Sequence, residues 1–300
     1  MVFFSKINEG WKTFKDSIIF IFKKPVFLIP IFFSWIVVIT IVLYNRYYFP
    51  ELQNFWVIIL YVYFILAIMS FSIIFANTVM LELIQQIETG KKTSLSKALR
   101  ETLGLNLIKI IPIAFIWALV WLFIVILRAL TSKARRERVQ PSVRDAARTL
   151  SGMNTPFSLS EFGLSMMEKA IRMTVFMALP AVAWENQGPF SAFKKSFQIL
   201  KKHPVQFLTS YSLTFAAGVI MALPLVPIYI LDEMGVVLSS SIWVVIIIYV
   251  GIVWTLEVYL EQMSVGILYL WHMKWLRKGG QGELSSVKKP DLFDEIYELT

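Results

Sequence analysis

Apolar segments long enough to cross a membrane alternate along this chain with short lysine-bearing segments, in three successive units. The first and third units align without a gap, so that Phe14, Ser17, Ile21 and Pro25 match Phe193, Ser196, Leu200 and Pro204. A looser middle copy runs from Ser94 to Pro112. Internal repeats of this kind are typical of membrane bundles built from duplicated hairpins. The pattern therefore predicts three repeats, each an amphipathic helix followed by two apolar spans.

The first repeat is predicted over 1–87 and the third over 188–276. Their spans are predicted at 26–44, 55–83, 206–231 and 241–260, with an interfacial extension at 262–276. The helix that opens each repeat carries apolar residues at spacings of three and four, which form one stripe. The stripes are Phe4, Ile7, Trp11, Phe14 and Ile18 in the first repeat, and Phe190, Phe193, Phe197 and Leu200 in the third. Lysines lie off both stripes, so we expect these helices in the headgroup plane, apolar side down.

The second repeat, 88–187, is predicted to contain a span at 107–130, a polar basic insertion at 131–161 and a short span at 164–187. The short span is weak, because its only uninterrupted apolar run is a dozen residues from Met173 to Trp184, and Pro180 is expected to break it. A helix needs about 20 apolar residues to cross a bilayer. The span must therefore include Glu168, Lys169 and Arg172.

Two principles disagree on the side of the membrane that holds the insertion. Its arginines would place it in the cytoplasm by the positive-inside rule, whereas the repeat puts the three amphipathic helices there and the insertion opposite. Most lysines and arginines lie on the amphipathic-helix side, which favours six spans with both termini cytoplasmic. In the alternative, the insertion is cytoplasmic and the second hairpin is re-entrant or interfacial. The chain ends in a short acidic tail, 277–300.

Composition supports a membrane protein. Of 300 residues, 57% are hydrophobic and 16% charged, against about 25% charged in soluble domains. The net charge of +9 comes from lysines and arginines that flank the spans, so they are expected to meet the lipid bilayer and its anionic headgroups rather than nucleic acid. We predict an all-α integral membrane protein with six transmembrane helices, multi-pass in the cell (inner) membrane.

Two acidic residues of the last span are the strongest functional candidates. Glu257 and Glu261 are four residues apart and share one helix face. Carboxylates at membrane depth can mark an ion path or proton relay. Counting from Ser241, however, places Glu257 close to the far interface, where it can reach water or pair with a lysine of an amphipathic helix, and this structural interpretation is favoured. Asn77, with Glu82, lies equally late in the second span and has the same two interpretations.

Other polar residues have weaker functional interpretations. Glu185, in the turn before the third amphipathic helix, is expected to anchor Lys194 or Lys195; the alternative is an acceptor at the mouth of a cavity. Basic residues that could contact anionic lipid or a membrane protein partner are Arg135, Arg136, Arg138, Lys194 and Lys195. His203 and His272 lie in different repeats and predict neither a metal site nor a catalytic triad. No cofactor or phosphate-binding motif is present, so an enzyme is not expected.

Three short motifs resemble the domain-of-unknown-function 6159 family of bacterial and archaeal polytopic membrane proteins. They are Phe75-Ala-Asn77, the segment from Leu179-Pro180 to Glu185, and the segment from Gly188-Pro189 to Phe197. The likeness covers nearly the whole chain, and the 131–161 insertion is longer than the family pattern. The resemblance implies a six-helix membrane protein without assigned catalytic residues.

Two function classes remain open. The favoured one is a non-enzymatic protein acting through membrane-surface or protein–protein interaction, supported by the lysine-rich helices. The alternative is a transporter or channel for a small or lipid-like solute between the repeats. A cluster of charged or amide side chains at mid-membrane would favour transport.

Overall fold

The structure, a computed structural model, describes residues 2–48, 54–131, 159–282 and 284–287, and every regular element in these ranges is helical. The described ranges contain ten α-helices: α1 Val2–Lys23, α2 Leu28–Tyr48, α3 Phe55–Glu88, α4 Leu95–Glu101, α5 Leu107–Thr131, α6 Leu159–Ala183, α7 Pro189–Lys202, α8 Pro204–Ala222, α9 Val226–Glu233 and α10 Ser240–Arg277. The insertion residues Arg135, Arg136 and Arg138 and the acidic end of the tail lie outside the described residues.

Five helical segments in these ranges are long and apolar enough to cross a membrane. They are Pro25–Asn45, Phe55–Glu88, Leu107–Arg128, Pro204–Asp232 and Ser240–Arg277. The regular elements of the described residues are thus all helical, as predicted, and the five segments support a multi-pass membrane protein. The sixth predicted span, 164–187, corresponds to most of α6 and is not among the five. Six spans and the threefold repeat therefore stay predictions.

Helix α6 lies inside the bundle, in contact with α3, α5, α7 and α10. Its C-terminal half is buried, with Met173, Phe176 and Val182 almost fully enclosed. We expected Pro180 to break this helix, but the helix continues to Ala183. Proline cannot donate a hydrogen bond to the carbonyl four residues earlier. Gln262 of α10 donates to that carbonyl, on Phe176, at 3.4 Å.

Helices α3 and α10 are the longest described elements, with 34 and 38 residues. At 1.5 Å per residue they span about 50 and 57 Å, more than the roughly 30 Å hydrocarbon thickness. Each exposes apolar side chains in its N-terminal half and is enclosed in its C-terminal half, where α4 contacts α3 and α1 contacts α10. The predicted extension 262–276 is thus part of α10 and largely buried.

The two amphipathic helices that align in sequence, α1 and α7, pack similarly. Ser17 and Ser196 are both fully buried. Each helix is followed by a residue with non-helical backbone angles, Lys24 (φ −139°, ψ 67°) after α1 and His203 (φ −126°, ψ 50°) after α7. A proline follows each, which disfavours helical angles at the preceding residue. The apolar stripe of α7 is divided, because Phe190 is 78% and Phe197 61% exposed whereas Phe193 and Leu200 pack against the core.

Candidate functional site

Four charged side chains meet where α6 contacts α10. Lys169 Nζ lies 2.7 Å from Glu257 Oε1 and 2.8 Å from Glu261 Oε1. Arg172 binds Glu261 through two parallel hydrogen bonds, Nε to Oε2 at 2.8 Å and Nη2 to Oε1 at 2.7 Å. Its Nη2 is also 3.8 Å from Glu257. We call these four residues the charge network.

The charge network is buried and electrically balanced. The Glu261 side chain is fully enclosed, and those of Lys169 and Arg172 are 4% and 15% exposed. Ions removed from water carry a large desolvation cost, which only close opposite charges and hydrogen bonds can offset. Two cations facing two carboxylates meet that requirement, so the network stabilises the α6–α10 contact.

The sequence placed Glu257 and Glu261 on one helix face, and the structure brings both to α6. The expected partner was wrong, since the cations come from α6 and not from an amphipathic helix. The position along the helix also differs from the expected one, because α10 continues to Arg277 and Glu257 lies near its middle rather than close to its end. Ionisable groups within spanning segments face the bundle interior and indicate a functional site.

Neighbouring helices close around the network. On α8, a Cβ placed at Gly218 would lie only 3.1 Å from Glu257 Cδ, so glycine allows α8 to approach the carboxylate. The Phe215 ring, also on α8, has its centroid 5.9 Å from Lys169 Nζ. From α5, Arg128 Nη2 binds Glu168 Oε2 at 2.7 Å.

A cavity of about 190 Å³, which we call the central cavity, lies beside the network and between five of the helices. Helices α2, α3, α5, α6 and α10 all contribute to its wall, which is mostly apolar. Its larger or charged lining residues are Trp35, Trp117, Trp121, Trp254, Glu168 and Arg172. Trp35 packs flush against α10, since a Cβ at Gly251 would lie 2.3 Å from its ring. The cavity therefore joins an aromatic wall to one carboxylate and one guanidinium.

Glu185 belongs to a separate polar contact between the α6–α7 turn and α10. Its carboxylate binds the Lys195 ammonium and accepts hydrogen bonds from Tyr269 (2.6 Å) and Gln187 (2.8 Å). Of the two lysines considered, Lys195 is therefore the one that Glu185 holds, while Lys194 is exposed. These contacts tie α7 to α10 and do not open into the central cavity.

The remaining predicted polar residues lie elsewhere. Asn77 is fully buried and donates to the Ile73 carbonyl of its own helix at 2.9 Å. Glu82 accepts a hydrogen bond from Asn106 at 2.7 Å, which links α3 to the π-helical turn before α5. Neither residue lines the central cavity.

The two histidines form a contact that sequence reasoning missed. His203 Nε2 lies 2.9 Å from His272 Nδ1, and both rings pack against Trp275. The residues are 69 positions apart, and the only signal in the sequence was that each lies next to basic residues. Within the described ranges no group of three or more His, Cys, Asp and Glu residues could hold a metal ion.

Comparisons with known proteins add no further constraint, since no family model, curated protein or solved structure matches this chain. The resemblance to the domain-of-unknown-function 6159 family therefore stays a prediction.

Proposed function

We propose that this chain is a non-enzymatic membrane protein that binds a small solute in the central cavity and carries it between the repeats. The observation that supports this most strongly is the position of the cavity. Its wall combines α2 and α3 from the predicted first repeat, α5 and α6 from the second, and α10 from the third. Sites between repeats, near mid-membrane, are typical of secondary transporters.

The composition of the wall also supports solute binding. Ligand sites are mainly apolar and aromatic, with a few polar groups that orient the ligand. Four tryptophans with Glu168 and Arg172 have this composition. The volume limits the solute: a dry cavity of about 150 Å³ can hold benzene, so about 190 Å³ suits a molecule only slightly larger.

Tryptophan quenching tests this proposal, because four of the ten tryptophans line the cavity. The probe is 4-bromobenzyl alcohol, a ring-sized solute with a heavy-atom quencher, added to the protein in lipid nanodiscs. We expect one saturable component in addition to the linear quenching by probe dissolved in lipid. Replacing Ile73 or Val42 of the wall with Phe fills the cavity and should remove the saturable component. Leu119→Phe, on the exposed face of α5, is the matched control and should keep it.

No saturable quenching in the wild type, or equal saturation in the filled variants, would refute solute binding in the cavity. Two cavity-filling variants are used because extra volume in a packed core can cost about 1–3 kcal/mol. Whichever remains folded provides the comparison.

A second candidate, interaction at the membrane surface, rests on the outward side chains of α1 and α7. Phe22 and Phe197 are largely exposed, as are Lys15, Lys23 and Lys194 nearby. Exposed aromatic residues beside lysines suit an anionic lipid surface, where each lysine contributes about 1 kcal/mol. Charge reversal at Lys15 and Lys194 should weaken retention of anionic lipid during purification and leave quenching by 4-bromobenzyl alcohol unchanged.

A further inference from the structure

Two polar atoms of the central cavity wall have no protein partner in the described part of the chain. Arg172 uses Nε and Nη2 for Glu261, and no acceptor binds its Nη1. Glu168 uses Oε2 for Arg128, and no donor binds its Oε1. Both residues line the cavity. They are four positions apart on α6, so their side chains are neighbours on one helix face.

The wall therefore offers a hydrogen-bond donor beside an acceptor. A guanidinium nitrogen can only donate, and a carboxylate oxygen can only accept. The complementary ligand group has one acceptor and one donor on adjacent atoms. A protonated carboxyl group meets this pattern: its C=O accepts from Arg172 Nη1, and its O–H donates to Glu168 Oε1.

The charge balance of the site favours a ligand with a neutral, protonated carboxyl group over one with an ionised carboxylate. The charged groups that face this region are Arg172 and Glu168 on α6, Arg128 on α5, and Glu257 and Glu261 on α10, with Lys169 completing the network. They contribute three positive and three negative charges. In the part of the chain that the structure describes, α2 and α3 add no charged residue to the wall. An added carboxylate would remain uncompensated in a low-dielectric site, which is costly.

We propose that the cavity binds ring-sized organic acids in their neutral form, with the ring against the tryptophans and the carboxyl group between Arg172 and Glu168. This inference rests on the proposed function, because it names the solute class for the same cavity. Each bound molecule brings one proton, which it takes from water when its carboxylate is protonated. Movement through the cavity would then carry acid and proton together, without net charge.

Competition with 4-bromobenzyl alcohol tests the solute class in the same nanodiscs. The competitors are benzoate, benzamide and benzylamine, which share a ring and differ in the polar group. Benzoate should compete better as pH falls from 8 to 5, by about tenfold per unit, because only the neutral fraction binds. Benzamide, neutral with an adjacent acceptor and donor, should compete equally at every pH. Benzylamine, which is cationic over this range, should not compete.

A charge-neutralising variant separates this inference from a purely structural role of the same residues. Glu168→Gln leaves the cavity region with one excess positive charge. The ionised benzoate should then bind, so its competition at pH 8 should rise by roughly tenfold or more and its pH dependence should flatten. Glu185→Gln, a change in the separate contact at the α6–α7 turn, is the matched control and should keep the wild-type pH profile.

The outcomes are distinguishable. Absence of saturable quenching by 4-bromobenzyl alcohol refutes the proposed function. Saturable quenching with pH-independent competition by benzoate, or with competition by benzylamine that is stronger than that by benzoate, refutes the binding of neutral acids but not the binding of a solute in the cavity. An unchanged pH profile in a folded Glu168→Gln protein also overturns it.

Discussion

Removal of the Glu261 carboxylate is the most direct test of the charge network. Glu261 is fully buried and accepts hydrogen bonds from Arg172 and Lys169. Glu261→Gln keeps the size of the side chain but leaves two buried cations facing the single carboxylate of Glu257. Breaking a buried ion pair from one side costs about 3–5 kcal/mol. At roughly 2–4 °C per kcal/mol for a chain of this size, the apparent Tm should fall by about 10 °C.

Glu257→Gln is the matched comparison on the same helix face. The Glu257 side chain is 23% exposed and has one close partner, Lys169, with Arg172 at 3.8 Å. The Glu257 carboxylate reaches solvent, which screens the charge imbalance left by its removal, and the fully buried Glu261 stays beside both cations. Its loss should therefore lower the Tm by less than about 5 °C, half of the loss expected for Glu261→Gln. Thermal unfolding in nanodiscs at a fixed heating rate measures both variants, because Tm values of irreversibly unfolding proteins depend on scan rate.

Removing both partners of the bidentate pair should cost less than removing one. Arg172→Leu combined with Glu261→Leu removes both charges of this pair together and leaves Lys169 paired with Glu257. Apolar replacement of a complete buried pair is often neutral or stabilising, so the double variant should regain at least half of the Tm lost by Glu261→Gln. Equal Tm losses for the Glu257 and Glu261 variants, or a further loss in the double variant, would refute this account of the network.

Two other predictions concern packing and topology. Gly251→Ala should lower stability by about 1–3 kcal/mol, because the added methyl group collides with Trp35. Gly266→Ala on the same helix, where no atom lies closer than 3.7 Å to the added methyl group, should be neutral or slightly stabilising. Thermal unfolding measures both variants, and equal Tm values would contradict the predicted collision at Gly251. Single cysteines at Lys194 and Ser142 in this cysteine-free chain should be labelled from opposite sides of oriented membranes if six spans are present. Labelling of both from one side would make the second hairpin re-entrant or interfacial.

Several features of the fold could be predicted from local sequence alone. Apolar stretches with few charges predicted six spans, because every backbone polar group within a bilayer must be satisfied inside its own helix, and five of the six correspond to helical segments of spanning length. Pro25 and Pro204 indicated where α1 and α7 end, since the residue before a proline avoids helical angles. The i, i+4 spacing of Glu257 and Glu261 placed both carboxylates on one face.

The site itself depended on tertiary structure. Lys169 meets Glu257 across 88 positions of sequence, and the two histidines meet across 69. The spans are apolar on nearly all sides, and lipid is as apolar as a protein core, so the sequence contains little information about how each helix is rotated. Only helix packing decided that rotation, which directs Glu168 and Arg172 to the cavity and Lys169 to the carboxylates of α10.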